Sequence, residues 1–216
     1  MHGQDLDFVA FIFDLVNIGV GPSNAKTITD HLAVLRPHVW LMIGHCGGLR
    51  RSQRLGDYVL AHAYLREDNV LDDVLPPSVP LPTLAEVQLA MTQAVQEVSG
   101  IEKAKLKEHL RTGTVVTTSD RNWELRFERN AVRLNQARAI AIDMETATLF
   151  IVGHANAIAH GALLLVSDVP VTPDGVKTEE SDRKVTANWV DLHLSIGIEA
   201  MTEVGQKGEK IKHFRY

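Results

Sequence analysis

Apolar positions along this chain follow two periods. Val39–Ile43, Ala139–Ile142 and Ala162–Val166 are short unbroken apolar runs, the pattern of buried strands. Phe8–Ile18 reads the same way and closes in the turn Gly19-Val20-Gly21-Pro22. Gly56–Tyr64 and the β-branched Gly113–Thr118 are further predicted strands. Helical spacing fills the gaps. Pro22 suits a first helical turn, so a helix is predicted over Ser23–Leu35, ending before Pro37. Leu84, Val87, Ala90, Met91, Ala94, Val95 and Val98 recur at helical intervals, after Thr83 and Glu86 in capping-box spacing. Trp123–Gln136, Met144–His154 and Val185–Val204 complete the helices. Pro76–Pro82 and the polar Asp168–Asp182 are predicted loops, and a polar, basic tail follows Gly205. The alternation predicts one α/β domain, its central sheet mixed but largely parallel and flanked by helices.

The strand ends carry the chemistry. Val39–Ile43 runs into a predicted glycine-rich turn, Gly44-His45-Cys46-Gly47-Gly48, Ala139–Ile142 into Asp143-Met144-Glu145, and Ala162–Val166 into Ser167-Asp168. In open α/β sheets ligands bind outside the carboxyl ends of strands, so these three ends are expected to share one crevice. Glu145, at a helix start, is either a capping acid or an ionised acceptor able to grip a sugar diol. Met144 is core filler or a flat contact for a sugar or base. Asp168 caps a turn or, with its pKa raised in a half-dry crevice, donates a proton. Gly47 and Gly48 allow backbone to approach a ligand closely. The turn matches neither the dinucleotide fingerprint nor a Walker motif. Cys46 reads as a small buried hydrophobe, and the ten histidines lack metal-site spacing, so no metal and no cofactor are expected.

At 216 residues the chain is expected to form one domain with a sizeable core, and its composition is ordinary for a globular protein. A net charge of −5 gives no footprint for nucleic acid or an anionic membrane, while leaving room for a local basic pocket. One cysteine excludes an internal disulfide and fits a reducing compartment. Met1–Asp7 has no basic n-region, and Phe8–Val16 is interrupted by Asp14 and too short to span a bilayer. A cytoplasmic protein is expected.

Taken together, Gly19-Val20-Gly21-Pro22-Ser23-Asn24-Ala25, Gly44–Gly48, Asp143-Met144-Glu145-Thr146-Ala147 and Val166-Ser167-Asp168 resemble the purine nucleoside phosphorylase and nucleosidase superfamily. More narrowly, Trp40–Arg50 and Thr117-Thr118-Ser119-Asp120-Arg121-Asn122-Trp123-Glu124 resemble the catalytic domain of the AMP nucleosidase family, and the resemblance covers most of residues 15–204. It implies a nucleoside phosphorylase-like fold and hydrolysis of AMP to adenine and ribose 5-phosphate. Asp168 would protonate purine N7, Glu145 would hold the ribose hydroxyls, and Met144 would lie beside the sugar, with Ser167, Gly47, Gly48 and His45 around the substrate. Trp123 and Arg121 fall on the base-pocket loop, as a stacking ring and a phosphate contact, and Lys177 is a further candidate near the purine. Where phosphorylases of the superfamily carry an arginine and a hydroxyl residue for phosphate, this chain has Met42 and His45, which favours water as the nucleophile. Residues 1–14 do not match the superfamily's first strand, and the chain is expected to correspond to the catalytic part of a two-part family. The resemblance also implies a homo-oligomer. Another purine nucleosidase or phosphorylase, or a shortened nucleotide-binding form without catalysis, are the alternative readings.

Overall fold

The computed structural model describes residues 13–172 and 175–207. Five strands, β1 (Val39–Gly48), β2 (Tyr58–Glu67), β3 (Leu110–Thr118), β4 (Ala139–Asp143) and β5 (Ala159–Asp168), form a closed barrel in the order β1-β4-β3-β2-β5. The helices are α1 (Pro22–Val34), α2 (Ala85–Ser99), α3 (Leu106–His109), α4 (Phe127–Gln136), α5 (Thr146–Ala155), α6 (Glu179–Val185) and α7 (Asp191–Lys207). A 3₁₀ turn at Trp123–Arg126 leads into α4, and a π-helical turn at Thr186–Val190 joins α6 to α7. No described helix is long and apolar enough to cross a membrane.

The expected α/β class holds, with one difference. β1–β5, β2–β3 and β3–β4 pair in parallel, but β1–β4 and β2–β5 pair antiparallel through two residue pairs each, and these junctions close the sheet. β5 shows why closure is stable. Ala162, Leu164 and Val166 pack into one core with Phe150 and Ile151 of α5, while Ala159, Leu163 and Leu165 pack into a second with α2 and α7. A strand buried on both faces has no need to alternate with polar residues, which is why its sequence is a continuous apolar run.

Several boundaries differ from expectation. Residues 13–19 form no strand, and Leu15 and Val16 are exposed; residues 8–12 of the expected strand lie outside the described residues. β1 runs on through Gly44–Gly48, where a turn was expected, because both β5 and β4 supply it with partners. The Thr83–Glu86 capping box does not form: Pro82 bridges to Ala63, extended backbone continues to Leu84, and α2 starts without a side-chain cap. A capping box forms instead at Thr178 and Ser181, starting a helix inside the predicted 168–182 loop. The last helix reaches Lys207, past the expected end at Val204, and the tail from residue 208 lies outside the described residues.

Candidate active site

The barrel's two closures create the site. β1 follows β5 in register to Cys46 opposite Val166; then Gly47 lies opposite Asp168, leaving Ser167 as one extra residue on β5. Such a bulge re-aims the side chains around it. Strict strand alternation would send residues 167 and 168 to opposite faces, yet both line the same cleft. Over the same two glycines β1 crosses to β4, pairing Gly47 with Ile142 and Gly48 with Ala141. The ends of β4 and β5 therefore meet on either side of β1. Between them opens a cleft of about 590 Å³.

On the β4 side, Asp143 organises the turn into α5. Its Oδ1 accepts from the Thr117 hydroxyl at 2.5 Å and its Oδ2 from the Thr146 amide at 2.7 Å and the Glu145 amide at 3.3 Å. The Thr117 hydroxyl in turn accepts from the Ala147 amide at 3.0 Å. Asp143 is thus the acid that caps α5. Glu145, at the N-cap position, makes no side-chain cap bond and turns its carboxyl into the cleft. There its Oε1 accepts from the Gly21 amide at 2.5 Å. Gly21 has φ 93°, a conformation that glycine adopts without strain. Burial first, then the neighbouring Asp143 charge, push Glu145 up to about 7, against the pull of the Gly21 amide. Met144, half-buried, lines the same wall.

On the β5 side, Asp168 is 5% exposed. Its Oδ1 accepts from the Ser167 hydroxyl at 2.7 Å, while its Oδ2 is buried with no donor among the described residues. Nothing here resembles a turn cap. Burial is the main reason that Asp168 is pushed up to about 6; the Glu124 carboxyl adds to the rise, and Ser167 and Lys177 oppose it. Gly47 makes room for this arrangement. A Cβ on Gly47 would sit 2.8 Å from Asp168 Oδ2 and 2.6 Å from Trp123 Cζ2.

The remaining sequence candidates divide. His45, Gly47, Arg121, Trp123, Ser167 and Lys177 all border the cleft. Gly48 does not: it lies behind the wall, where Gln53 and Val166 cover it. Trp123 is 7% exposed, packed with Leu49, Val116 and Leu134, and its six-membered ring lies close against Gly47. Arg121 is exposed at the rim. The Lys177 ammonium is tied to Asp182 at 2.9 Å, so its charge faces a carboxylate other than Asp168. Burial, then Lys177, hold the His45 imidazole below its ordinary value. Cys46 is buried and its thiol is pushed up by burial, as a packing residue should be.

Sequence reasoning missed Gly21, Glu124 and Asp143 as working residues, although each sits inside a motif that it singled out. Spacing reveals which segments converge, but not which of two neighbouring acids faces inward.

The family model described as the phosphorylase superfamily matches residues 15–202. The chain belongs to that superfamily. Among its relatives there, the AMP nucleosidase of Escherichia coli (strain K12) is 56% identical over 197 residues, covering 91% of this chain and 40% of that protein. The chain therefore spans about two fifths of that relative's length. The crystal structure of an AMP nucleosidase from Bacteroides thetaiotaomicron superposes with a TM-score of 0.69 at 35% identity, over 88% of this chain and 71% of the other. A purine nucleoside phosphorylase from Toxoplasma gondii, crystallised with immucillin-H, shares the superfamily fold at 21% identity, with a TM-score of 0.67 over 88% of this chain and 73% of the other.

Proposed function

We propose that this chain hydrolyses the N-glycosidic bond of AMP, releasing adenine and ribose 5-phosphate. One observation carries the reading: a cleft whose walls present Asp168, with a buried carboxyl oxygen that has no donor among the described residues, and Glu145, a second carboxyl that accepts from the Gly21 backbone amide. The likeness to AMP nucleosidases at 56% and 35% identity supports AMP as the substrate.

The chemistry needs two acids in different states. As the C1′–N9 bond breaks, its electron pair moves onto the purine and positive charge builds on the ribose. Asp168 gives its proton to N7, so the leaving base departs neutral. Water adds its oxygen to C1′ and loses a proton, completing ribose 5-phosphate and adenine. General acid help of this kind is worth about 10²–10⁴-fold. Glu145, ionised, accepts from the ribose hydroxyls, and its charge favours the cationic sugar. Met144 lies against the sugar, Ser167 holds the Asp168 carboxyl in place, and Trp123 and Gly47 wall the base side. Arg121 at the rim meets the 5′-phosphate.

Water rather than phosphate is the nucleophile on this reading. Met42, at the position where a phosphorylase arginine is expected, is 7% exposed, with its sulfur 3.2 Å from the Thr146 hydroxyl, which donates to Asp143. That position carries no cation to hold a phosphate. His45, kept neutral by burial, is the candidate to take the proton from water. A cytoplasmic homo-oligomer is part of the same proposal; light scattering gives its mass in solution.

The test is incubation with AMP, adenosine and inosine, with and without inorganic phosphate, followed by chromatography for free base. Adenine formed from AMP at the same rate in both conditions is the expected result. Phosphate-dependent release, or release from adenosine alone, overturns the reading in favour of a phosphorylase or a nucleoside hydrolase. AMP binding by calorimetry with no adenine formed points to a nucleotide-binding form without catalysis.

A further inference from the structure

Thr117 has no role in the scheme above, yet it ties the first turn of α5 to a neighbouring strand. It is the next-to-last residue of β3, fully buried, and lies opposite Asp143 on the parallel strand β4. Its hydroxyl donates to Asp143 Oδ1 at 2.5 Å and accepts from the Ala147 amide at 3.0 Å. One side chain thus serves both the acid that caps α5 and the helix itself. Burial pushes the Asp143 carboxyl up, and the Thr117 bond, then those from Thr146 and Glu145, hold it down.

The place of that amide matters. With Glu145 at the N-cap position, Ala147 is the second residue of α5. An N-cap side chain ordinarily turns back to accept from the second or third amide of its helix. Here the acceptors come from outside: Asp143 Oδ2 takes the Thr146 amide at 2.7 Å, and Thr117 takes the Ala147 amide. Glu145 makes no cap bond, and its carboxyl enters the cleft, where Oε1 accepts from the Gly21 amide at 2.5 Å. A buried amide is costly to leave unpaired. The neighbours are already committed. Asp143 Oδ2 accepts from the Glu145 and Thr146 amides and from the Thr146 hydroxyl, and the Thr148 hydroxyl donates to Asp68. Without Thr117, α5 would recruit the carboxyl at its own N-cap.

We infer that Thr117 is a positioning residue for Glu145: by satisfying the Ala147 amide, it keeps the Glu145 carboxyl off its own helix and free to hold the ribose hydroxyls. The inference rests on Glu145 being the ribose acceptor.

The experiment compares kcat/KM for AMP and 2′-deoxy-AMP in the full chain, with adenine measured by chromatography. Thr117→Val keeps the branched shape and removes the hydroxyl. The value for AMP should fall about tenfold, and the preference for AMP over 2′-deoxy-AMP should shrink by about threefold or more. Thr117→Ser should restore both. Added to Glu145→Gln, Thr117→Val should cost less than about twofold, because the carboxyl it would misplace is already gone. An equal loss in both backgrounds, or an unchanged preference, marks a general loosening of the wall and overturns the positioning role. If Thr117→Val shows no cooperative unfolding, Thr117→Cys, a weaker donor and acceptor at the same place, enters the same comparison with a smaller shift of the same sign expected. A Glu145→Gln variant that keeps the preference overturns the ribose role of Glu145, and this inference with it. A preference that collapses in Glu145→Gln but survives in Thr117→Val overturns this inference alone. A wild type that forms no adenine overturns the function proposed above, and the preference is then read from calorimetric binding of the two nucleotides, with the same outcomes.

Discussion

The two walls of the cleft hold the same chemical group in unlike surroundings. Glu145 and Asp168 are both acids at strand ends, both buried, and both pushed up mainly by loss of water. Glu145 points at a backbone N–H and sits at the N-terminus of α5, whose dipole favours negative charge. Asp168 has one buried oxygen with no donor among the described residues, and the Glu124 charge adds to its rise. Both environments still disfavour the anion, that of Glu145 at least as much because the Asp143 charge lies near it. The two values, about 7 and about 6, are close. Substrate itself separates them: ribose hydroxyls donate to Glu145 and stabilise its anion, while purine N7 accepts from Asp168 and stabilises its protonated form. Pairs of acids driven apart by their surroundings are a general route to acid–base chemistry near neutrality.

Breaking the Asp168 side has the largest expected effect. Asp168→Asn keeps the shape and removes the proton, so kcat should fall about 10²–10⁴-fold while the Kd for AMP, measured by calorimetry, stays within about threefold. Loss of binding with turnover per bound AMP preserved would contradict the acid role. On the other wall, Glu145→Gln loses a hydrogen bond to a charged group, worth about 1.5–3 kcal/mol. A fall of about 10–100-fold in kcat/KM follows, and adenosine should suffer as much as AMP, since both offer the same diol. Gly47→Ala tests the packing between the walls. The added methyl collides with Asp168 Oδ2 and with the Trp123 ring, so activity should drop about tenfold, with destabilisation of about 1–3 kcal/mol in thermal unfolding.

The smallest effect has the opposite sign for stability. Asp168 has a folded value of about 6 against an ordinary 3.8, so the folded chain binds this proton more tightly than the unfolded chain does. Stability tied to this group is therefore complete below about pH 4 and is lost as pH rises through 6. At pH 8 wild type bears a cost of about 2–3 kcal/mol that Asp168→Asn avoids. The variant's Tm should exceed wild type's by about 5 °C at pH 8, with the gap closing toward pH 4. A gap that is independent of pH would show that burial of charge is not its cause.

How much of this was legible in the sequence depends on how local the cause is. β5 was visible because it is buried on both faces, and its Leu163-Leu164-Leu165-Val166 run cannot be confused with a surface element. α1 was visible because Pro22 and Pro37 bracket it. The Gly44–Gly48 strand was not, since glycine signals a turn locally and only the partners on both sides make it β. The apolar segment before Gly19 looked like a strand, but over residues 13–18 periodicity had no means of showing that no described strand pairs with it. Convergence of Glu145 and Asp168 on one cleft was readable from strand ends alone. Which acid caps α5, where Lys177 sends its charge, and what stands beside Asp168 depend on contacts between distant segments.

The extra residue at Ser167 has a consequence for how this site can change. Along a strand, whether a side chain faces in or out is a matter of parity, and one unpaired residue resets the count for everything beyond it. The acid at 168 is addressed by that offset as much as by its identity. Remove the unpaired position, or add a second, and an intact carboxyl would be delivered to the wrong side of the wall, with every residue of the motif still present.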